Sequence, residues 1–298
     1  MELATEIRPA SRTEVKRHYQ RRLFEIARRL FVYSMLIAIT VFSIFPLIWI
    51  LKTSFETPQF IRNPEIQLVP LKATLDNFQE VLTNPRAMIG RSFLNSLFVG
   101  GVSTVFSVFI TTLAGYALSR FVFRGKTVFS AYLLLVNMVP STLILISMFI
   151  LLIKLHLVNS HWGLIIFYTS IGLPLAVWML KGYFDSIPVE LEEQAMIDGA
   201  TRLGAIRHII FPLSLPGIAS VSLFLFMAHW NEFMAALTIL QKQELRTLPV
   251  QIINFMGFQR IEWGPIMAYS VIVTLPATIL FILVQRNLVG GLTAGFTK

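Results

Sequence analysis

Six apolar stretches dominate this chain, at residues 31–51, 92–117, 128–153, 162–180, 212–240 and 265–284. Each is long enough to cross a hydrocarbon core of about 30 Å as a helix of about 20 residues. Backbone in lipid finds no water to bond, so its N–H and C=O groups must be satisfied within a helix or a closed barrel. No polar–apolar alternation of strand length recurs, which leaves the helix. The composition agrees: 55% of the 298 residues are hydrophobic, 14% are charged, and the mean hydropathy is +0.69. The expectation is an all-α membrane protein with six transmembrane helices.

The net charge of +9 reads as orientation, not as nucleic-acid binding. With a cytoplasmic N-terminus, 16 of the 25 Lys and Arg residues fall on cytoplasmic segments, eight of them before residue 31. Five of the other nine (Lys52, Arg62, Lys72, Arg86 and Arg91) lie in the long first external segment, where the positive-inside bias counts least. Both termini are therefore expected in the cytoplasm. The first apolar run, 21 residues from Phe31, exceeds the h-region of a signal peptide and should persist as the first membrane helix. Cysteine is absent, which excludes disulfides and thiolate metal sites.

Three parts follow: an N-terminal arm (1–30), a six-helix transmembrane domain (31–288) and a short tail (289–298). Within the arm, residues 13–30 suit either an amphipathic helix on the lipid of the inner leaflet or a partly ordered tail. The external segment 53–90 is broken by Pro58, Pro64, Pro70 and Pro85, with room for a short helix at 74–82 capped by Thr74. A second external loop spans 241–262.

Polar residues inside the spans are the first candidates for function. Asn95, Asn137, Ser141, Tyr168 and Thr169 either bridge helices or line an aqueous path. Pro46, Pro140, Pro174, Pro216 and Pro276 each remove a backbone donor and are expected to kink their helices. Ionisable residues occur only in the fifth span, at His229 and Glu232. Glu232 falls near the external interface, and Trp230-Asn231-Glu232 reads as an aromatic anchor with a structural carboxylate, or else as a contact for an external partner.

No enzyme motif is present. The string from Arg120 to Thr127 imitates a phosphate loop, but Arg120 stands where the first glycine belongs. The five histidines show no two-His zinc spacing. No catalytic residue, metal ligand or cofactor site is expected in this chain.

The longest hydrophilic interruption of the last two-thirds is the loop 182–211. Glu190, Glu192 and Glu193 complement a helix N-terminus, with Asp185 or Ser186 available to cap it. Ala195, Gly199 and Ala200 keep its profile thin, Met196 offers apolar area, Asp198 precedes the glycine, and Gly199 allows a turn into a second short helix.

The pattern Glu193-Gln194-Ala195, Gly199, Ile209, Phe211-Pro212 resembles the "EAA" signature of permease subunits in bacterial binding-protein-dependent ATP-binding-cassette (ABC) importers. Residues 285–295 resemble the tail of the second permease in maltose-type carbohydrate importers, and Trp230 to Phe233 resembles a further element of that family. Gln194, Phe211 and Asn287 depart from its pattern without changing charge. The resemblance implies the type I importer fold and a bacterial inner-membrane location. It implies that Glu192, Glu193, Ala195, Met196, Asp198, Gly199 and Ala200 form a coupling helix. It also implies three kinds of partner: a second permease in a heterodimer, two copies of a cytoplasmic ATPase that bind ATP and Mg, and an extracytoplasmic solute-binding protein. The implied solute is a carbohydrate; an anionic oligosaccharide or a sugar-phosphate is the variant reading, and an ion-coupled secondary transporter the rival class.

Overall fold

The computed structural model describes residues 12–61, 72–85, 87–256 and 261–293, with side chains described from residue 24 to 285 of these, together with Arg22. The regular elements among them are helices: α1 (Arg12–Ser54), α2 (Pro58–Ile61), α3 (Asp76–Thr83), α4 (Ile89–Arg120), α5 (Lys126–Val136), α6 (Ser141–Lys154), α7 (His161–Ser186), α8 (Glu190–Ile197), α9 (Arg202–Ala205), α10 (Phe211–Asn231), α11 (Met234–Ile239), α12 (Leu248–Gln251) and α13 (Trp263–Thr293). Five continuous helical stretches are long and apolar enough to cross a membrane, and α5 with α6 forms a sixth, bent by 97°. The signature-like tail from Arg286 onward lies outside the described side chains, as the first eleven residues lie outside the described backbone.

The arm does not form a helix of its own. Residues 12–30 run straight into the first span as part of the 43-residue α1. At 1.5 Å per residue that is about 65 Å, roughly twice a hydrocarbon core. Its charged first third therefore extends past the apolar part, and α1 touches the rest of the chain along α13.

The centre of the molecule is the pair α4 and α7, joined by α10. Most of the buried stripe of α4 is small, with Ser92, Ser96, Gly100, Ser103, Ser107, Thr111 and Gly115 beside Val99, Thr104 and Leu118. Small residues at helical spacing let backbones approach closely where lipid gives helices no hydrophobic drive to associate. Gly115 is the closest point: a Cβ there would stand 3.2 Å from the Lys181 backbone nitrogen.

Two expected spans are interrupted. The third breaks between Val136 and Ser141, where Pro140 cannot donate to the preceding turn and disfavours helix at Val139. Pro46, Pro174, Pro216 and Pro276 stay inside continuous helices. The fifth stops at Asn231, and Glu232 starts α11 by accepting from the N–H groups of Ala235 (2.8 Å) and Ala236 (3.1 Å). At its other end the fifth span begins earlier than expected, at Arg202, through a π-helical segment Ile206–Ile210. That wider turn lies just before Pro212, whose ring would crowd the carbonyl of residue 208 in a regular helix.

Beyond the C-terminal end of α1, α3 begins two residues after Thr74, whose hydroxyl accepts from Asp76 N–H at 3.1 Å without being the cap. The stronger tie is Asn77, whose buried amide donates to the carbonyls of Ser54 (2.9 Å) and Glu56 (2.8 Å) and so fixes α3 against the end of α1.

Candidate functional site

The polar insert folds as two short helices turned by a glycine. α8 carries Glu190, Glu192 and Glu193 in its first turn, where carboxylates suit the helix dipole. Neither Asp185 nor Ser186 caps it: both belong to the last turn of α7, where Asp185 pairs with Lys181 (2.5 Å) and accepts from Ser119 (2.7 Å). α8 ends in a Schellman motif, with Ala200 N–H on Ala195 O (2.9 Å) and Gly199 N–H on Met196 O (3.2 Å). Gly199 takes φ +91°, a conformation that L residues rarely adopt. Thr201 then caps α9, accepting from Gly204 N–H at 3.1 Å.

The insert is tethered to the end of α4. Glu192 is buried and forms an ion pair with Arg120, its second oxygen accepting from Tyr116 at 2.8 Å. Arg120 also donates to Ile187 O in the α7–α8 linker at 2.9 Å. The Arg202 guanidinium sits 4.9 Å from the centre of the Phe121 ring, tying α9 to the same end. Two residues of the expected docking set are therefore corrected: Glu192 and Ala195 face inward. Glu193, Met196, Asp198, Gly199 and Ala200 are exposed, and so are Ile197 (84%) and Leu203 (74%), the most apolar part of the tip. Arg120 and Tyr116 went unread in the sequence, where Arg120 counted as a topological charge.

A second feature is a cavity of about 290 Å³ between the α5–α6 break, α7, α10 and α11. Asn137, Ser141 and Tyr168 line it, together with Thr142, His229 and Glu232. The two other candidates lie elsewhere. Asn95 donates to the carbonyls of Glu244 (3.0 Å) and Arg246 (3.1 Å), holding the segment between α11 and α12. The Thr169 hydroxyl is buried and is not part of the lining.

Glu232 joins both features of its end of the molecule. Besides starting α11, its carboxylate accepts from Tyr168 O–H at 2.9 Å. Trp230 is fully buried and donates to Val273 O at 3.2 Å, so it anchors α10 to α13 and offers no surface to an external partner. Asn231 remains exposed, its amide donating to Met227 O at 2.8 Å.

Comparison with known proteins gives one answer. Residues 103–293 match the family described as the binding-protein-dependent transport system inner membrane component. The chain is 38% identical to the trehalose/maltose transport system permease protein of Thermococcus litoralis, over 92% of this chain and 98% of that one. It is 35% identical to the sulfoquinovosyl glycerol transport system permease protein of Agrobacterium fabrum, over 86% and 89%. It is 33% identical to the galactooligosaccharides transport system permease protein of Bacillus subtilis, over 91% and 96%. Its fold matches a chain of a bacterial ABC transporter involved in the import of the acidic polysaccharide alginate, with TM-score 0.73, 21% identity and coverage of 94% and 99%. The chain thus belongs to the inner-membrane components of binding-protein-dependent transport systems, as a multi-pass permease subunit of an ABC importer and not an enzyme.

Proposed function

We propose that this chain forms half of the translocation path of a carbohydrate importer. It pairs with a second, related permease, and an extracytoplasmic binding protein delivers the solute. Two copies of a cytoplasmic ATPase bind ATP and Mg and drive the cycle. Both termini lie in the cytoplasm. The observation that carries the reading is the insert: a tethered pair of short helices whose exposed apolar tip, Ile197 and Leu203, flanks a glycine turn between two membrane crossings. The carbohydrate class draws support from relatives named for trehalose/maltose and for galactooligosaccharides. An ion-coupled transporter would need a mid-membrane ion site; the Glu232 carboxylate is already engaged by three donors in starting α11 and holding Tyr168.

The test is reconstitution in liposomes with the second permease, the ATPase and the binding protein. Gly199→Leu is expected to insert and assemble, yet to lose both uptake and ligand-stimulated ATP hydrolysis. Normal values of both would remove the insert from the coupling role. Uptake by the chain alone in an ion gradient would favour secondary transport.

A further inference from the structure

We propose that the cavity enclosed by α2, α3 and the start of α13 is a divalent-cation site of the calcium type, in which the ion staples α3 to α13. It shares no residue with the cavity beside α7 or with the insert.

Asn77 and Glu80 stand three residues apart in α3 and so share one face of it. Glu262 directly precedes α13, and its carbonyl accepts from Ile266 N–H at 3.0 Å in the first turn of that helix. All three line one cavity of about 160 Å³, and no Lys, Arg or His is on its wall. Neither carboxylate forms an ion pair or a side-chain hydrogen bond among the described residues. Burial, and then the charge of Glu262, hold the Glu80 carboxyl above its usual range. Two carboxylates on one cavity without a counter-charge repel each other, and a cation between them reverses the sign of that interaction.

Asn77 adds an oxygen that nothing else claims. Its side chain is only 3% exposed, and Nδ2 spends both protons, on Ser54 O (2.9 Å) and Glu56 O (2.8 Å). Only the amide nitrogen can meet two carbonyls, so the position of Oδ1 is fixed by chemistry. Oδ1 accepts from no donor among the described residues, yet it is not sealed from a ligand as the orphan hydroxyls of Ser103 and Ser107 are. Gly264 on the cavity wall leaves that oxygen room: a Cβ there would stand 2.3 Å from Oδ1.

The donor set selects the ion. Carboxylate and amide oxygens without His or Cys are hard ligands, which suit Ca²⁺ or Mg²⁺ over zinc or copper. Mg²⁺ demands near-ideal octahedral geometry, whereas Ca²⁺ accepts irregular sites and completes its shell of about six to eight oxygens with water. Three side chains from two separate elements, around a cavity with room for water, fit the second ion. With two charged ligands the affinity belongs with weak extracellular sites, about 10⁻⁴–10⁻³ M. In the topology proposed above, this end of the molecule faces the extracytoplasmic medium.

The test uses the complex with its second permease and ATPase in nanodiscs, free of nucleotide. Trp263 lies on the cavity wall and serves as an antenna for Tb³⁺, a luminescent stand-in for Ca²⁺. Tryptophan-sensitised Tb³⁺ emission should saturate, and Ca²⁺ should displace it about tenfold more effectively than Mg²⁺ does. Trp263→Phe should remove most of the emission while equilibrium binding of radiolabelled Ca²⁺ persists. Glu80→Gln and Glu262→Gln should each weaken Ca²⁺ on the order of tenfold, since each removes one ligand charge. Thermal unfolding supplies a change of sign: in chelator Glu80→Gln should melt above the wild type, because the repulsion is gone, and in saturating Ca²⁺ it should melt below, because the wild type gains the ion. Emission that survives Trp263→Phe, Ca²⁺ binding indifferent to both glutamine variants, Mg²⁺ competing as well as Ca²⁺, or an order of melting unchanged by Ca²⁺ would each overturn the site. The antenna test needs neither glutamine variant, so it decides the matter even if those fail to assemble.

Discussion

The side chain of Glu192 turns inward to Arg120 while that of Glu193 faces solvent, so the same truncation at the two positions removes different things. Glu192→Ala leaves a buried guanidinium uncompensated, typically a loss of about 3–5 kcal/mol. Glu193→Ala touches an exposed carboxylate at a helix N-terminus, a matter of about 0.3–1 kcal/mol. Thermal unfolding of the purified complex should therefore fall clearly for Glu192→Ala and hardly at all for Glu193→Ala. Arg120→Met combined with Glu192→Leu should recover most of the stability, since matched apolar replacement removes both charges. A larger fall at Glu193 would mean that the tether is not the buried pair. A second residue-scale expectation concerns Glu80 of α3. Burial, and then the charge of Glu262, push its carboxyl above the usual value of 4.5. The folded state thus holds that proton more tightly, a contribution present at low pH and lost as pH rises through the raised value. Glu80→Gln should gain stability relative to the wild type as pH climbs from about 4 towards 7. A difference between the two that stays flat across that range would refute this.

At the scale of elements, close approach is the variable to test. Gly115 and Gly101 both sit within α4, but a Cβ at Gly115 meets the Lys181 and Leu180 backbone at 3.2 and 3.4 Å, while one at Gly101 meets nothing within 4 Å. Gly115→Val should destabilise the α4–α7 pair by about 1–3 kcal/mol of overpacking, and Gly101→Val should be well tolerated. Equal effects in a thermal assay would remove close approach as the cause. The same elements mark what the sequence made legible. Apolar length located every span, because nothing else satisfies a backbone in lipid. It did not locate the breaks, because those are decided by local competition. Pro140 looks like the other four intramembrane prolines, yet only here is the helix abandoned, beside an Asn137 amide that bonds Leu133 O (2.8 Å). Glu232 was legible as a structural carboxylate; that it would end one helix by starting the next was not, since that depends on the Tyr168 hydroxyl from α7. The insert was legible through its glycine and glutamates. The tether was not, because Arg120 lies 72 residues before its partner.

For the whole molecule the question is how many times the chain crosses. A helix pair bent by 97° is compatible in principle with a re-entrant loop as well as with a span. The contacts of its ends decide between them. Lys126, at the start of α5, donates to Ser119 O (3.3 Å) and Phe121 O (3.2 Å), at the C-terminal end of α4. Beyond α6, Asn159 N–H bonds Ile239 O (2.9 Å) and His161 Nε2 meets Leu245 O (3.0 Å), in the same loop region that Asn95 holds near the N-terminal end of α4. The pair therefore connects opposite ends of α4 and counts as a crossing. The consequence is a parity: with six crossings α3 and α9 lie on opposite sides of the membrane, and with five they lie on the same side. The absence of native cysteine makes the parity directly readable. Leu82 in α3 and Leu203 in α9 are both well exposed, at 63% and 74%. In intact spheroplasts an impermeant maleimide should label Leu82→Cys fully and leave Leu203→Cys unlabelled until the membrane is opened. Labelling of both before opening would convert the bent pair into a re-entrant loop and move the insert away from the side that the proposed coupling to an ATPase requires.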